Sequence, residues 1–172
     1  MNFLNVCWIY GDIPEEWRTA IVIPIHKKGD RNNPDNYRGI GLLNNEYKIY
    51  SKIIAKRLTA IAEVLQNGFR KGRSCMVCIF SASQIILKHR EFNIPTYIAF
   101  VDFKKAFDSV DRDKLWTIML SKGIPTYLIT IIQKMYMENT IRANAGNGIS
   151  EDSRAITQGV REGCPLSPVL FN

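Results

Sequence analysis

The 172-residue chain lacks any long hydrophobic run. No apolar stretch approaches the roughly 20 residues needed to cross a bilayer, so a membrane-spanning helix is excluded. The opening stretch MNFLNVCWIYGDIP is apolar, yet it has neither the basic flank nor the small-residue cleavage site of a signal peptide. With Phe3, Leu4 and Trp8 at helical spacing, it reads instead as the end of a core helix. Histidine is scarce, with two residues, His26 and His89. The four cysteines (Cys7, Cys75, Cys78, Cys164) do not assemble a recognisable ligand set. Cys75 and Cys78 have CxxC spacing, but no second pair or paired histidine completes a zinc site. We read them as free thiols on a partly buried helix face, which suits a reducing, intracellular compartment, nucleus or cytoplasm. Repeats, low-complexity tracts and linkers are also missing, so one domain is expected.

What is present is a globular composition. Hydrophobic residues make up 46% and charged residues 23%, enough for a real core. Lys and Arg outnumber Asp and Glu by 23 to 16, a formal charge of +7 that suits a polyanionic partner such as nucleic acid. That balance alone also fits a merely basic soluble protein.

After Pro14, the segment TAIVIPIHKK is rich in β-formers and runs into the polar turn GDRNNPDN. From Glu46 to Gln66 the pattern is helical, with Tyr50, Ile54, Leu58, Ile61 and Leu65 forming an apolar stripe. Asn67 and Gly68 are expected to stop it. A second helix is predicted from Met76 to Arg90. The near-continuous apolar stretch from Tyr97 to Phe103 predicts a central strand, covered on both faces. A helix capped by Asp111 or Asp113 should end at Gly123, and Pro125 should begin another. That helix would bury Leu128, Ile131, Ile132, Met135 and Tyr136. Short strands around 140–145 and 154–157 and a helical start in PLSPVLFN complete an α+β expectation: helices packed on a mostly antiparallel sheet.

Asp102 is the most informative position. A carboxylate at the end of a hydrophobic strand is costly unless its charge is compensated. A divalent cation with oxygen ligands would compensate it, and a turn-capping aspartate is the alternative.

The words around Asp102 favour the first reading. FVDFKKAFDSVDR resembles motif A of reverse transcriptases of the non-LTR (LINE-type) retrotransposons. In family order, IPEEWRTAIVIPIHKKGDRNNPDNYRGIGL resembles the fingers motif, YKIYSKIIAKRL the helix after it, QNGFRKGRS the word before motif A, and TQGVREGCPLSPVLFN motif B. The resemblance covers nearly the whole chain. It implies part of a right-hand polymerase, with fingers over about 14–95 and the start of the palm over about 96–172, without thumb or motif C. The implied activity is RNA-directed DNA polymerase: nucleotide addition to a primer 3′-hydroxyl, assisted by two Mg²⁺ (or Mn²⁺) ions about 4 Å apart. The implied partners are an RNA template, a DNA primer and deoxynucleoside triphosphates, and no membrane.

Carried over by position, Asp102 is the catalytic metal ligand, and the backbone carbonyl of Phe103 also meets a metal. Phe107 matches the aromatic gate beneath the nucleotide sugar; an ordinary core phenylalanine is the alternative. Lys27, Lys28 and Arg38 fall where the fingers grip the triphosphate, a task for which an Arg fork and an ammonium are suited. On composition alone they would be a solvated basic turn. Glu162 and Gly163 match nucleotide-facing positions. Arg70, Lys71 and Arg73, with Gly159 and Arg161 of motif B, match contacts to template and primer; for QNGFRKGRS a solvated loop is the alternative. Asp108 and Asp111 read as turn and cap groups.

The chain departs from the family pattern in several places. It contains no Asp-Asp dipeptide, so the second set of catalytic aspartates is missing and the 172 residues are expected to be inactive alone. Glu162 stands where the family usually has Gln, placing negative charge near a triphosphate. Gly39 and Gly41 replace the usual Pro and Ser of YRPISL. The 58–66 stretch is a few residues short. Two other readings remain: a non-catalytic nucleic-acid-binding remnant, and a group II intron maturase-like reverse transcriptase.

Overall fold

The computed structural model describes residues 3–59, 66–144, 146 and 148–172. Helix α1 (Phe3–Tyr10) leads through a 3-10 turn (Glu15–Trp17) into strand β1 (Thr19–His26). After the polar turn come β2 (Tyr37–Leu42) and α2 (Asn45–Leu58). Helix α3 spans Cys75–Glu91, α4 Arg112–Ser121 and α5 Thr126–Tyr136, and β3 (Thr140–Ala143), β4 (Arg154–Ala155) and α6 (Ser167–Phe171) follow.

The four strands form one sheet in the order β2-β1-β3-β4. Strands β1 and β2 pair antiparallel, with Ile25 opposite Arg38 and Val22 opposite Gly41. Strand β3 runs parallel to β1, with Thr19 opposite Thr140, and β4 closes antiparallel on β3. The expected α+β class with a mostly antiparallel sheet is therefore present.

Local chemistry explains most of the boundaries. Asn44 starts α2 by accepting from the Glu46 N–H at 2.8 Å. Asp111 caps α4, accepting from the N–H groups of Asp113 and Lys114 at 3.0 and 3.1 Å. Beyond α4, Gly123 adopts φ +76°, a conformation that ends a helix without a Cβ clash.

The core lies between α2, α5 and the segment from Val160 to Leu170. Tyr47, Tyr50, Ile54 and Leu58 of α2 are buried against Leu128, Ile131, Ile132, Met135 and Tyr136 of α5. Trp17 sits among them, its ring 5.6 Å from Tyr50 and 6.0 Å from Tyr47. Helix α2 ends at Leu58, short of the expected Gln66, and Ile61 and Leu65, the rest of the predicted stripe, lie outside the described residues. No described helix is long and apolar enough to cross a membrane.

Two expectations fail. Residues 94–103 carry no regular secondary structure, and Tyr97 and Phe100 are 93% and 94% exposed. The predicted central strand is thus absent. A strand so apolar needs a hydrogen-bonded neighbour and cover on both faces, and among the described residues neither sheet edge pairs with it. Cys75 and Cys78, expected partly buried, are both exposed, because α3 buries no residue at all.

Candidate nucleotide cleft

The polar turn after β1 is held by its own side chains. Asp30 accepts from the Asn32 N–H at 2.9 Å, and Asn33 from the Asp35 N–H at 3.0 Å. Asn36 donates to the Asp30 carbonyl at 2.8 Å and the Tyr37 hydroxyl to the Arg31 carbonyl at 2.9 Å. The Lys27 N–H donates to the Asn36 carbonyl at 2.8 Å, so Lys27 and Arg38 rise from adjacent arms of one rigid hairpin.

Across from that hairpin lies the segment carrying Phe107 and Asp108, with the 158–163 turn seated on it. The Gly159 N–H donates to the Val110 carbonyl and the Val160 N–H to the Phe107 carbonyl, both at 2.8 Å. The approach is close enough that a Cβ on Gly159 would stand 2.8 Å from the Asp108 Cα, and φ is +80° there. Arg112 locks the turn from below. Its guanidinium donates to the carbonyls of Gly159 (2.9 Å), Ile156 (3.0 Å), Tyr136 (3.1 Å) and Gln158 (3.3 Å).

The other side of the turn rests on β2. A Cβ on Gly41 would lie 2.6 Å from the Glu162 carbonyl oxygen. Gly41 thus lets the turn sit directly on the sheet, while Gly39 makes room for Val22 of β1. Between hairpin, turn and Phe107 is an open cleft of about 920 Å³. Lys27, Arg38, Phe107 and Glu162 all line it. The Phe107 ring is held between two other rings, with centroids 5.9 Å from Phe69 and 5.2 Å from Phe171. Phe69 belongs to the QNGFRKGRS loop and Phe171 to α6. The same two elements are clasped by amides: Gln66 donates to Asn172 at 2.8 Å, and Asn172 donates to the Gly68 carbonyl at 2.9 Å.

Charge in the cleft is mixed. Burial, and then the negative charge of Asp108, push the Glu162 carboxyl above its ordinary value, against the pull of Arg38 and Lys27. Neither Lys27 nor Arg38 is ion-paired with a carboxylate among the described residues.

Other predicted residues are placed elsewhere. Asp102 and Phe103 are exposed on the unpaired 94–103 segment and do not line the cleft. Among the described residues no three metal-ligating side chains cluster. Lys28 is exposed outside the cleft lining, and Gly163 underlies the turn at φ +80°. Lys71 and Arg73 are exposed on the loop beside the cleft. Arg70 is half-buried and donates to the Gln66 carbonyl at 3.1 Å.

Arg161 requires a correction. It is 5% exposed, and its guanidinium donates to the Trp17 carbonyl at 2.8 Å and lies 4.6 Å from the Tyr47 ring centre. A group so enclosed ties the turn to the core rather than reaching a template. Gly159 likewise has a packing role, against Asp108. Sequence reasoning missed Arg112, Gln66 and Asn172. Their hydrogen-bond partners lie far away in the chain, which leaves no local signal.

Residues 25–172 match the family described as Reverse transcriptase (RNA-dependent DNA polymerase). The chain belongs to that family. Among relatives of this reverse transcriptase domain is the Pol polyprotein from type-1 retrotransposable element R2 of Popillia japonica, 29% identical over 99% of this chain and 24% of the relative. The corresponding polyprotein from type-2 retrotransposable element R2DM of Drosophila melanogaster is 27% identical over 100% of the chain and 16% of its own length. The RNA-directed DNA polymerase from mobile element jockey of Drosophila melanogaster is 27% identical over 94% and 18%. The chain thus spans a quarter or less of these relatives, all from retrotransposing or mobile elements. For a reverse transcriptase domain, the motif order read from the sequence and the α+β architecture agree.

Proposed function

We propose that this chain is the nucleotide-accepting portion of a non-LTR retrotransposon reverse transcriptase, and that its cleft takes a deoxynucleoside triphosphate. The observation that carries this reading is convergence. Lys27 and Arg38 from the β1–β2 hairpin, Phe107 from the motif A word and the Glu162 turn from motif B line one space. Two unpaired cations on a rigid hairpin suit phosphate oxygens, Arg38 through its planar fork and Lys27 as a point charge. Phe107, wedged between Phe69 and Phe171, offers a fixed apolar wall on which a sugar can rest and against which a 2′-hydroxyl would collide. In this reading residues 14–95 are fingers and 96–172 the start of the palm, with sheet strands contributed by both. The exposed Lys71 and Arg73 give the loop beside the cleft a place for template or primer phosphates.

Family membership implies divalent cations, which would neutralise charge on the transferring phosphate. The described residues do not by themselves fit a two-ion site. Asp102 offers one carboxylate on an exposed segment, apart from the cleft, and no further ligand cluster accompanies it. The role left to these residues is to bind and orient a nucleotide.

The test is equilibrium binding of a fluorescent deoxynucleoside triphosphate to the purified chain, alongside primer extension on an RNA template. Binding that weakens about tenfold in Arg38→Ala, with no extension in Mg²⁺ or Mn²⁺, is expected. An Arg38→Ala chain that binds as well as the parent would remove the cleft from the reading.

A second reading, a non-catalytic nucleic-acid binder, is favoured by the exposed Lys71 and Arg73. It predicts a salt-dependent gel shift with an RNA–DNA hybrid and no nucleotide binding. The relatives named above come from retrotransposing elements, which favours that assignment over an intron maturase.

A further inference from the structure

We propose that Glu162 is an internal counter-anion of the cleft, competing with a polyphosphate for Lys27 and Arg38 and so discriminating among ligands by their charge. This rests on the nucleotide reading above and adds a specificity determinant to it.

The placement comes from the backbone. With glycine at position 41, the Glu162 carbonyl lies against β2 where any side chain would stand 2.6 Å away. That contact holds Glu162 above the sheet, beside the two arms that carry Lys27 and Arg38. The three residues share the cleft wall, and Glu162 feels both cations electrostatically. Neither cation is ion-paired among the described residues, so Glu162 acts on them through the cleft rather than by contact.

The other charged groups of the lining are Lys105, Asp108, Arg154 and Arg161. Arg161 is buried and donates to backbone carbonyls, so it does not offset Glu162 in the open space. Asp108, on the segment that carries the turn, adds a second negative charge that acts on Glu162. Glu162 is half-buried while Lys27 and Arg38 are exposed, so solvent and salt screen these interactions in part and low ionic strength enlarges them. Repulsion between Glu162 and a ligand therefore grows with the ligand's charge. A mainly structural Glu162 would affect all ligands alike.

The experiment measures dissociation constants of deoxyadenosine, its monophosphate, its triphosphate and inorganic tripolyphosphate, without metal, for the purified chain and for Glu162→Gln. The triphosphate and tripolyphosphate should bind roughly tenfold tighter to Glu162→Gln. The monophosphate should gain less, the nucleoside should not change, and Glu162→Asp should behave like the parent. A thermal melt verifies folding, and Glu162→Ala repeats the comparison with the side chain removed. An equal gain for all four ligands, or none for the triphosphate, overturns the role of Glu162 while leaving the nucleotide cleft standing. Absence of triphosphate and tripolyphosphate binding in every variant overturns both.

Discussion

Gly163 leans on the backbone of Gly41: a Cβ on Gly163 would lie 2.5 Å from the Gly41 carbonyl oxygen. A Cβ on Gly41 would in turn meet the carbonyl oxygen of Glu162, the residue before Gly163, at 2.6 Å. Replacing Gly41 with Ser or Ala forces the turn off the sheet, because the obstructing atoms are backbone. We expect a loss of about 1–3 kcal/mol, seen as a fall in Tm of roughly 2–10 °C. Gly163→Ala adds strain at φ +80° and should cost at least as much. An unchanged melting curve for Gly41→Ala would show that the turn does not rest on β2.

Arg112 should prove a stability hub. Its guanidinium donates to four carbonyls of α5 and of the 156–159 stretch and lies 5.1 Å from the Tyr136 ring centre. Arg112→Ala leaves several half-buried carbonyls without that donor, an expected loss of about 2–4 kcal/mol in urea unfolding. Arg112→Lys should recover only part, since an ammonium cannot span the same fork. Full recovery by Lys would mean charge, not geometry, matters there.

Two carboxylates should bend the pH profile of stability in opposite directions. Hydrogen bonds from the Lys114 backbone, foremost, hold the Asp111 carboxyl below its ordinary 3.8. Its contribution is present above that value and is lost as pH falls through the folded one. Glu162 is held above its ordinary 4.5, chiefly by burial. Its contribution is complete below 4.5 and is lost as pH rises through the folded value. Urea midpoints from acid to neutral pH should therefore lose the first dependence in Asp111→Asn and the second in Glu162→Gln. Superimposable profiles for parent and variants would remove both groups as causes.

The 94–103 segment gives a local test. From Thr96 to Phe103 no backbone hydrogen bond ties an N–H among the described residues, so amide hydrogens there should exchange orders of magnitude faster than those of α5. Asp102→Asn, on the same segment, should move stability by less than about 0.5 kcal/mol. Slow exchange across 97–103 would show that the strand expected from the sequence forms in solution.

How much was legible in the sequence differs from element to element. The helical stripe of α2, the Asp111 cap, the Pro125 start and the buried face of α5 were all readable, because each depends on neighbours within a few residues. The family was readable too, since ordered words such as AFDSVDR and GVREGCPLSP survive as linear text. For Tyr97–Phe103, composition stated a need for neighbours without supplying them.

Only the tertiary structure decided which charges meet. It brought Lys27, Arg38, Phe107 and Glu162 to one cleft, enclosed Arg161 beneath it, and left Asp102 outside. Those placements arise from backbone-to-backbone contacts, Gly41 on Glu162 and Gly159 on Asp108, between segments more than a hundred or about fifty residues apart. Local propensity carries no information over such separations; packing does.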